Sequence, residues 1–307
     1  MKIVTDSGMN LAPTMARDLD ITIVPHIIQL GDATYRSEID IDAGAFYGLL
    51  ESTGDFPTTS LPSPGAFADV YRQLAAEDPE ILSINISSGL SATAQAARTA
   101  AEMVPEAKVT VLDSLTLSAA QGWLVETAAR AAKAGWAKEA ILELLSRIRD
   151  GYQSVYTIKD LRYLIHGGRI SHMKGLLGSM LHLNPVIGVN KSDGSYEQLG
   201  IARSEKRAVK ALVSHMESCY PTGSELRVQM VHGQNLEGLD LLCRAIEKRF
   251  VCHWLPTIHM STVLGAHTGP SLVGVAFAPQ SLFSDFPAPA IATEPPPQLA
   301  GRAVPAV

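Results

Sequence analysis

EILSINISSGLSATAQAARTAAEM, residues 80–103, holds a whole structural unit in one stretch. EILSINI is a short apolar run of strand length, SSGLS is a polar turn, and the alanine-rich remainder is built of strong helix formers. The same order appears on either side. KIVT at the amino terminus leads through DSG into NLAPTMARDL, where Asn10 stands in a capping position, and KVTVLDS at 108–114 leads into SAAQGWLVETAARAAKAG. Repeated strand, polar turn and helix predict a parallel sheet covered by helices on both faces.

Between these units, ITIVPHIIQL at 21–30 reads as another strand. DAGAFYGLLES reads as a helix capped by Asp42, and PGAFADVYRQLAAE as a helix that tolerates Pro64 in its first turn. From about Tyr152 the character changes: SVYTI, PVIGVN, SYEQLGIAR, ELRVQMV, PTIHMSTV and SLVGVAFA read as strands, with a hairpin at Asp193-Gly194. SEKRAVKALVSHM and LEGLDLLCRAIEKRF read as helices. The expected organisation is a three-layer α/β/α domain with a mainly parallel sheet over 1–153, an α+β domain over 154–280, and a disordered Pro/Ala-rich tail over 281–307.

Lys and Arg number 25 against 31 Asp and Glu, a net charge of −6 in 307 residues. That balance argues against nucleic acid as a partner and allows at most transient contact with an anionic membrane. The amino terminus lacks a signal-peptide core and no apolar run has spanning length, so a cytoplasmic location is expected. Cys219, Cys243 and Cys252 lack metal or redox spacing and read as core thiols. The histidines, His166 and His172 around GGRIS among them, form no ligand pattern, so no metal and no cofactor is expected. EIDID at 38–42 reads as a solvated turn.

Ligands of open α/β sheets bind beyond the carboxyl ends of the strands. Four hydroxyl-rich stretches qualify: TDSG at 5–8, TTSLPS at 58–63, SSGLS at 87–91 and LDS at 112–114. Each hydroxyl taken singly could be a helix cap, but together they form a crest of donors suited to a carboxylate or phosphate. A nucleophilic alternative is a Ser-His-Asp acyl hydrolase using Ser91, with Asp113 and His267 following in elbow order; Ala92 and Thr93 depart from that elbow's ending. Nucleotide-binding and zinc-protease signatures are absent from the sequence.

TDS, PTTSLPS, SSGLS, LDS, LRYLIHGGRIS, NPVIGVN with its Asp-Gly hairpin, the AR at 202–203 and HTGP at 267–270 together resemble, in content and order, the DegV family of bacterial fatty-acid-binding proteins. The resemblance covers about residues 1–280. It implies a two-domain fold enclosing one long-chain fatty acid, which is presented to a separate ATP-dependent fatty acid kinase subunit that makes an acyl phosphate; the binding protein itself is then not an enzyme. It implies Thr58 and Ser88 as direct carboxylate contacts with Thr59, Ser60 and Ser91 nearby, His267 and Arg203 facing the carboxyl or acyl phosphate, and Arg169 as a surface residue docking the kinase subunit. Two departures stand out: Ser91, Ala92, Thr93, Ala94 where the family often has S-G-T-Y, and Gly269, Pro270, Ser271 where it has G-P-G. MKGLLGSMLHLN at 173–184 is a candidate wall for the acyl tail. A generic small-carboxylate-binding α/β protein is the remaining alternative.

Overall fold

A computed structural model describes residues 1–172 and 183–284. In chain order the first strands are β1 (Lys2–Asp6), β2 (Ile21–Val24), β3 (Ile27–Leu30), β4 (Ala33–Arg36), β5 (Thr58–Ser60), β6 (Glu80–Asn85) and β7 (Lys108–Asp113). The helices among and after them are α1 (Pro13–Asp18), α2 (Ala43–Thr53), α3 (Pro64–Ala75), α4 (Thr93–Glu102), α5 (Ser118–Lys133) and α6 (Lys138–Gly151). Strands β2-β1-β6-β7 form an all-parallel sheet, as the strand-turn-helix alternation predicts.

ITIVPHIIQL is two strands, not one. Pro25 has no N–H to give a ladder, so the chain leaves the parallel sheet after Val24 and re-enters a different one at Ile27. That second sheet is small and antiparallel, in the order β4-β3-β5, and it takes in the TTS segment expected to lie on a loop at the main sheet's edge. Asp42 caps α2 by accepting the Ala45 N–H at 2.8 Å, and Ser63 caps α3 by accepting that of Ala66 at 3.1 Å. Asn10 is not a cap. Its amide donates to the His259 carbonyl and its carbonyl accepts from the Ser118 hydroxyl, tying distant parts of the chain together.

The later strands are β8 (Gln153–Thr157), β9 (Asn184–Val189), β10 (Tyr196–Ala202), β11 (Glu225–His232), β12 (Val251–Trp254), β13 (Ile258–His259) and β14 (Val273–Pro279), with helices α7 (Arg162–His166), α8 (Glu205–Cys219), α9 (Leu236–Glu247) and α10 (Thr262–Thr268). They build a mixed sheet in the order β10-β9-β8-β14-β11-β12, with β13 also on β11. PTIHMSTV, expected as one strand, instead gives the short β13 and the start of α10.

Helix α5 separates the two large sheets and is buried along nearly its whole length. One apolar cluster runs from Ile3, Leu82 and Ile84 of the parallel sheet, through Leu124 and Ala128, to Tyr156, Ile187 and Val231 of the mixed sheet. Polar ties cross the same layer: the Trp123 indole donates to Gln229 at 2.7 Å, and Glu126 pairs with Arg227 at 3.3 Å with both side chains buried. A buried ion pair contributes little net stability, because desolvation offsets its attraction, but removing Glu126 would strand the Arg227 charge, whereas Glu126 also holds Arg130 at 2.9 Å. The sheets therefore share one core, and their loop ends are held in register where the site forms.

Candidate functional site

A cavity of about 40 Å³ lies where the small sheet, the β6–α4 turn, α10 and the 3₁₀ turn at Arg169–His172 meet. His26, Thr59, Ser91, Arg169 and His267 supply its polar lining, Ile86, Leu90, Val263 and Leu264 its apolar lining, and Tyr196 borders it. Tyr196 also borders a second cavity of about 20 Å³, whose walls include Leu117, Ile158, Ile187, Met260 and Leu272. A polar pocket thus abuts an apolar one, with a tyrosine between them.

Strand geometry selects Thr59. Successive side chains in a strand point to opposite faces, so Thr58 and Ser60 are exposed while Thr59 turns inward beside its cross-strand partner Ile28, which is fully buried. Its hydroxyl lies 2.8 Å from Nε2 of His267, in the last turn of α10. Gly167 makes room for that imidazole: a Cβ there would collide with Nδ1 of His267. Gly168, at φ +72°, then adopts the left-handed conformation that swings the chain into the Arg169 turn.

Arg169 is half-buried and faces the cavity, which differs from the outward docking role expected for it. Its guanidinium folds back so that Nη1 donates to the Gly167 carbonyl at 2.8 Å, at the carboxyl end of α7 where a cation is favoured. Its remaining N–H groups give the cavity positive character, and its charge helps push the His26 imidazole below its ordinary pKa, although burial of that ring is the larger cause.

The SSGLS crest divides in two. Ser91 lines the cavity, its hydroxyl 2.7 Å from that of Thr93. Ser88 does not: it is exposed, and its backbone N–H donates to the Asp113 carboxylate at 3.2 and 3.3 Å. Ser87 is buried against the Asp193-Gly194 hairpin, donating to the Gly194 carbonyl at 2.9 Å. Gly89 is required by the same contact, since a Cβ there would stand 2.5 Å from the Asp193 carbonyl oxygen. In TDSG, Asp6 accepts the N–H groups of Gly8 at 2.7 Å and Ile86 at 2.8 Å, so this buried carboxylate braces the loops behind the cavity.

Of the expected site residues, the structure brings Thr59, Ser91 and His267 to one cavity and adds Arg169. Thr58, Ser60 and Ser88 fall outside it, as does Arg203, exposed just beyond the end of β10. Sequence reasoning missed His26 and Tyr196. For His26 a signal existed: it directly follows the proline that splits two apolar runs, so it sits in a break in the ladder where its side chain can serve a site. The triad alternative has its members engaged elsewhere, Ser91 with Thr93, His267 Nε2 with Thr59, and Asp113 with the backbone N–H groups of Ser88 and Leu115. The segment expected to wall the acyl tail, 173–184, falls mostly outside the described residues. Among the described residues no group of three His, Cys, Asp or Glu side chains could hold a metal ion, and no helix is long and apolar enough to cross a membrane.

The DegV family model matches residues 1–280. A DegV domain-containing protein of Lactococcus lactis is 38% identical over 271 residues, spanning 88% of this chain and 96% of the relative. Among solved structures, a DegV family protein of Thermus thermophilus, described as binding fatty acid, superposes with a TM-score of 0.79 at 30% identity, covering 91% of this chain and 99% of the other. DegV of Bacillus subtilis, described as a fatty acid binding protein, superposes with a TM-score of 0.81 at 25% identity, covering 90% and 98%.

Proposed function

Because the chain belongs to the DegV family, we propose that it binds a long-chain fatty acid and presents the carboxyl group to a separate ATP-dependent fatty acid kinase subunit. The observation that carries the reading is the junction at Tyr196 of a pocket holding Thr59, Ser91, Arg169 and His267 with one walled by Leu117, Ile187 and Met260. A carboxylate taken out of water needs several donors, since an unpaired buried charge is very costly, and each hydrogen bond to a charged group contributes only about 1.5–3 kcal/mol. The Ser91 hydroxyl, the Arg169 guanidinium and the Thr59–His267 pair, in which one partner donates to the other and a single donor is passed on to the ligand, supply them. The acyl tail contributes more than the headgroup: at about 0.8 kcal/mol per buried methylene, a chain of roughly sixteen carbons gives on the order of 12 kcal/mol before ordering costs.

In this reading residues 1–153 and 154–280 act as two halves that close around the ligand. Thr59 and Ser91 come from the first half; Arg169, Tyr196 and His267 come from the second. The protein supplies no nucleophile, and activation belongs to the kinase subunit. Arg203 and the exposed Arg207 and Lys210 of α8 supply surface cations that an acidic face on a kinase subunit would complement. Denaturing mass spectrometry of the purified protein tests the ligand: recovery of a fatty acid in near one-to-one ratio is expected, and recovery of a small polar carboxylate alone would replace the reading with that of a generic carboxylate binder. Adding ATP and a fatty acid kinase catalytic subunit to the loaded protein should yield acyl phosphate.

A further inference from the structure

His26 is an imidazole sealed inside the protein, 4% exposed, in the break between β2 and β3. It is bonded on both ring nitrogens. Nδ1 lies 3.0 Å from the Ser7 hydroxyl and Nε2 lies 3.1 Å from the Thr93 hydroxyl, and Ser7 and Thr93 are themselves fully buried. Thr93 in turn lies 2.7 Å from Ser91, at the cavity. The row Ser7, His26, Thr93, Ser91 runs from the residue just beyond the carboxyl end of β1 to the cavity wall.

Counting donors fixes the direction of every bond in that row. Ser7 Oγ already accepts the backbone N–H of His26 at 2.9 Å. If it also accepted a proton from Nδ1, its own hydroxyl proton would be left in a dry interior, so Ser7 donates to Nδ1 and the proton of the neutral ring sits on Nε2. Nε2–H then donates to Thr93, and the Thr93 hydroxyl donates to Ser91. Ser91 Oγ also accepts the backbone N–H of Thr93 at 3.3 Å. With both acceptor positions taken, the Ser91 hydroxyl has one direction left for its proton, which is the cavity. The charged groups facing the ring are Asp6, at the end of β1, and Arg169; burial, the largest cause, and the Arg169 charge together outweigh the pull of Asp6 and favour the neutral ring.

We propose that His26 is a positioning residue that, through Thr93, locks the Ser91 hydroxyl as a hydrogen-bond donor aimed into the cavity, so that the site selects a carboxylate over an uncharged headgroup. The inference rests on the reading of this cavity as a fatty acid carboxylate site, and its first test needs no ligand. Nitrogen-15 spectra of the ligand-free protein at neutral pH should show His26 as the Nε2–H tautomer; the Nδ1–H tautomer, or a protonated ring, would overturn the proposal. The second test compares oleate with methyl oleate. Thr93→Val keeps the shape of the side chain and removes the link, and should weaken oleate binding about tenfold while leaving methyl oleate much less affected. His26→Gln, whose amide can still donate toward Thr93, should keep more of the preference for the acid than His26→Leu. Equal losses for acid and ester, or none in either, would leave His26 a core residue and sink the idea. Should the parent protein bind neither lipid, the fatty acid reading fails by itself, and the tautomer alone decides the direction of the row.

Discussion

TTS at 58–60 and SSGLS at 87–91 are equally rich in hydroxyls, and the fold puts them to different uses. In the first, strand alternation turns one side chain of three toward His267 and leaves the others in water. In the second, the turn is long enough to do two jobs: its front half, Ser87 to Gly89, fastens the parallel sheet to the Asp193-Gly194 hairpin of the mixed sheet, and its end, Ser91, reaches the cavity. Hydroxyl content therefore locates a crest but does not say which oxygen serves a ligand. That is decided by pleat direction in one case and by competing backbone and side-chain acceptors in the other.

The comparison breaks most easily at the ligand. Thr59→Val with Ser91→Ala removes two donors from the cavity, and at about 1.5–3 kcal/mol for each bond to a charged group the pair should weaken fatty acid binding by at least a hundredfold. Thr58→Ala with Ser88→Ala, the outward neighbours, should change it less than threefold, about 0.6 kcal/mol. Titration with a fluorescent fatty acid measures both, and a reversal of the two results would show that the crests rearrange on loading. Arg169→Gln comes next. Removing the cation should cost about 1.5–3 kcal/mol of fatty acid affinity, and any loss of acyl phosphate formation should then vanish when the variant is saturated with ligand. A persistent loss at full occupancy would instead return Arg169 to the docking role.

Particular residues explain why some of this was legible in sequence. The parallel sheet follows from the repeat of strand, polar turn and helix, and Asp42 caps its helix as its position relative to the apolar run implies. Helix α10 was hidden because Thr262 and Val263 are β-branched and extend a strand-like run; burial of all seven of its residues outweighs that local preference. The pairing of Thr59 with His267 spans 208 positions of sequence, and no local pattern encodes it. Tyr196 looked like any strand residue, since cavity walls and cores are made of the same side chains.

Stability sharpens the same contrast on the other side of the SSGLS crest. Gly194 has φ +66°, and a Cβ there would meet the Ser87 hydroxyl and stand 2.9 Å from Cα of Leu115. Gly194→Ala should cost about 1–3 kcal/mol from backbone strain and displacement of the fastening together. Melting should fall by several degrees, with the preference for acid over ester intact, because the Ser91 hydroxyl is oriented by Thr93 and makes no bond of its own to the hairpin. Loss of that preference without loss of stability would mean that the two halves of the crest are not separable.

The smallest expected effect is a dependence on pH that tells the cavity from the rest of the molecule. Burial depresses the imidazoles of both His26 and His232, the latter pushed down to about 4, with His259, whose ring centroid lies 4.3 Å away, adding to the effect. Unfolded, both rings titrate near about 6.5. Between that value and their folded values the unfolded chain binds protons that the folded protein refuses, so stability is complete above about pH 6.5 and is lost as pH falls through that window, by at most about 1.4 kcal/mol per pH unit for each ring. Asp78 and Asp160, whose carboxyls are held low by hydrogen bonds from the amino terminus and from Arg162, lose their contribution further down, below about pH 4. Urea unfolding at pH 7 and pH 5 spans the histidine window, in which burial lowers the half-buried His215 as well, so single variants assign each ring's share. His232→Asn should flatten the difference equally in free and fatty-acid-loaded protein, because His232 is not among the cavity's lining residues. His26→Gln should flatten it more in the free protein than in the loaded one, since a carboxylate against the polar wall favours the protonated ring and has already moved its pKa back up. An identical change in both states would show that the ligand's charge does not reach His26, and would place the carboxylate away from the Ser91 end of the cavity.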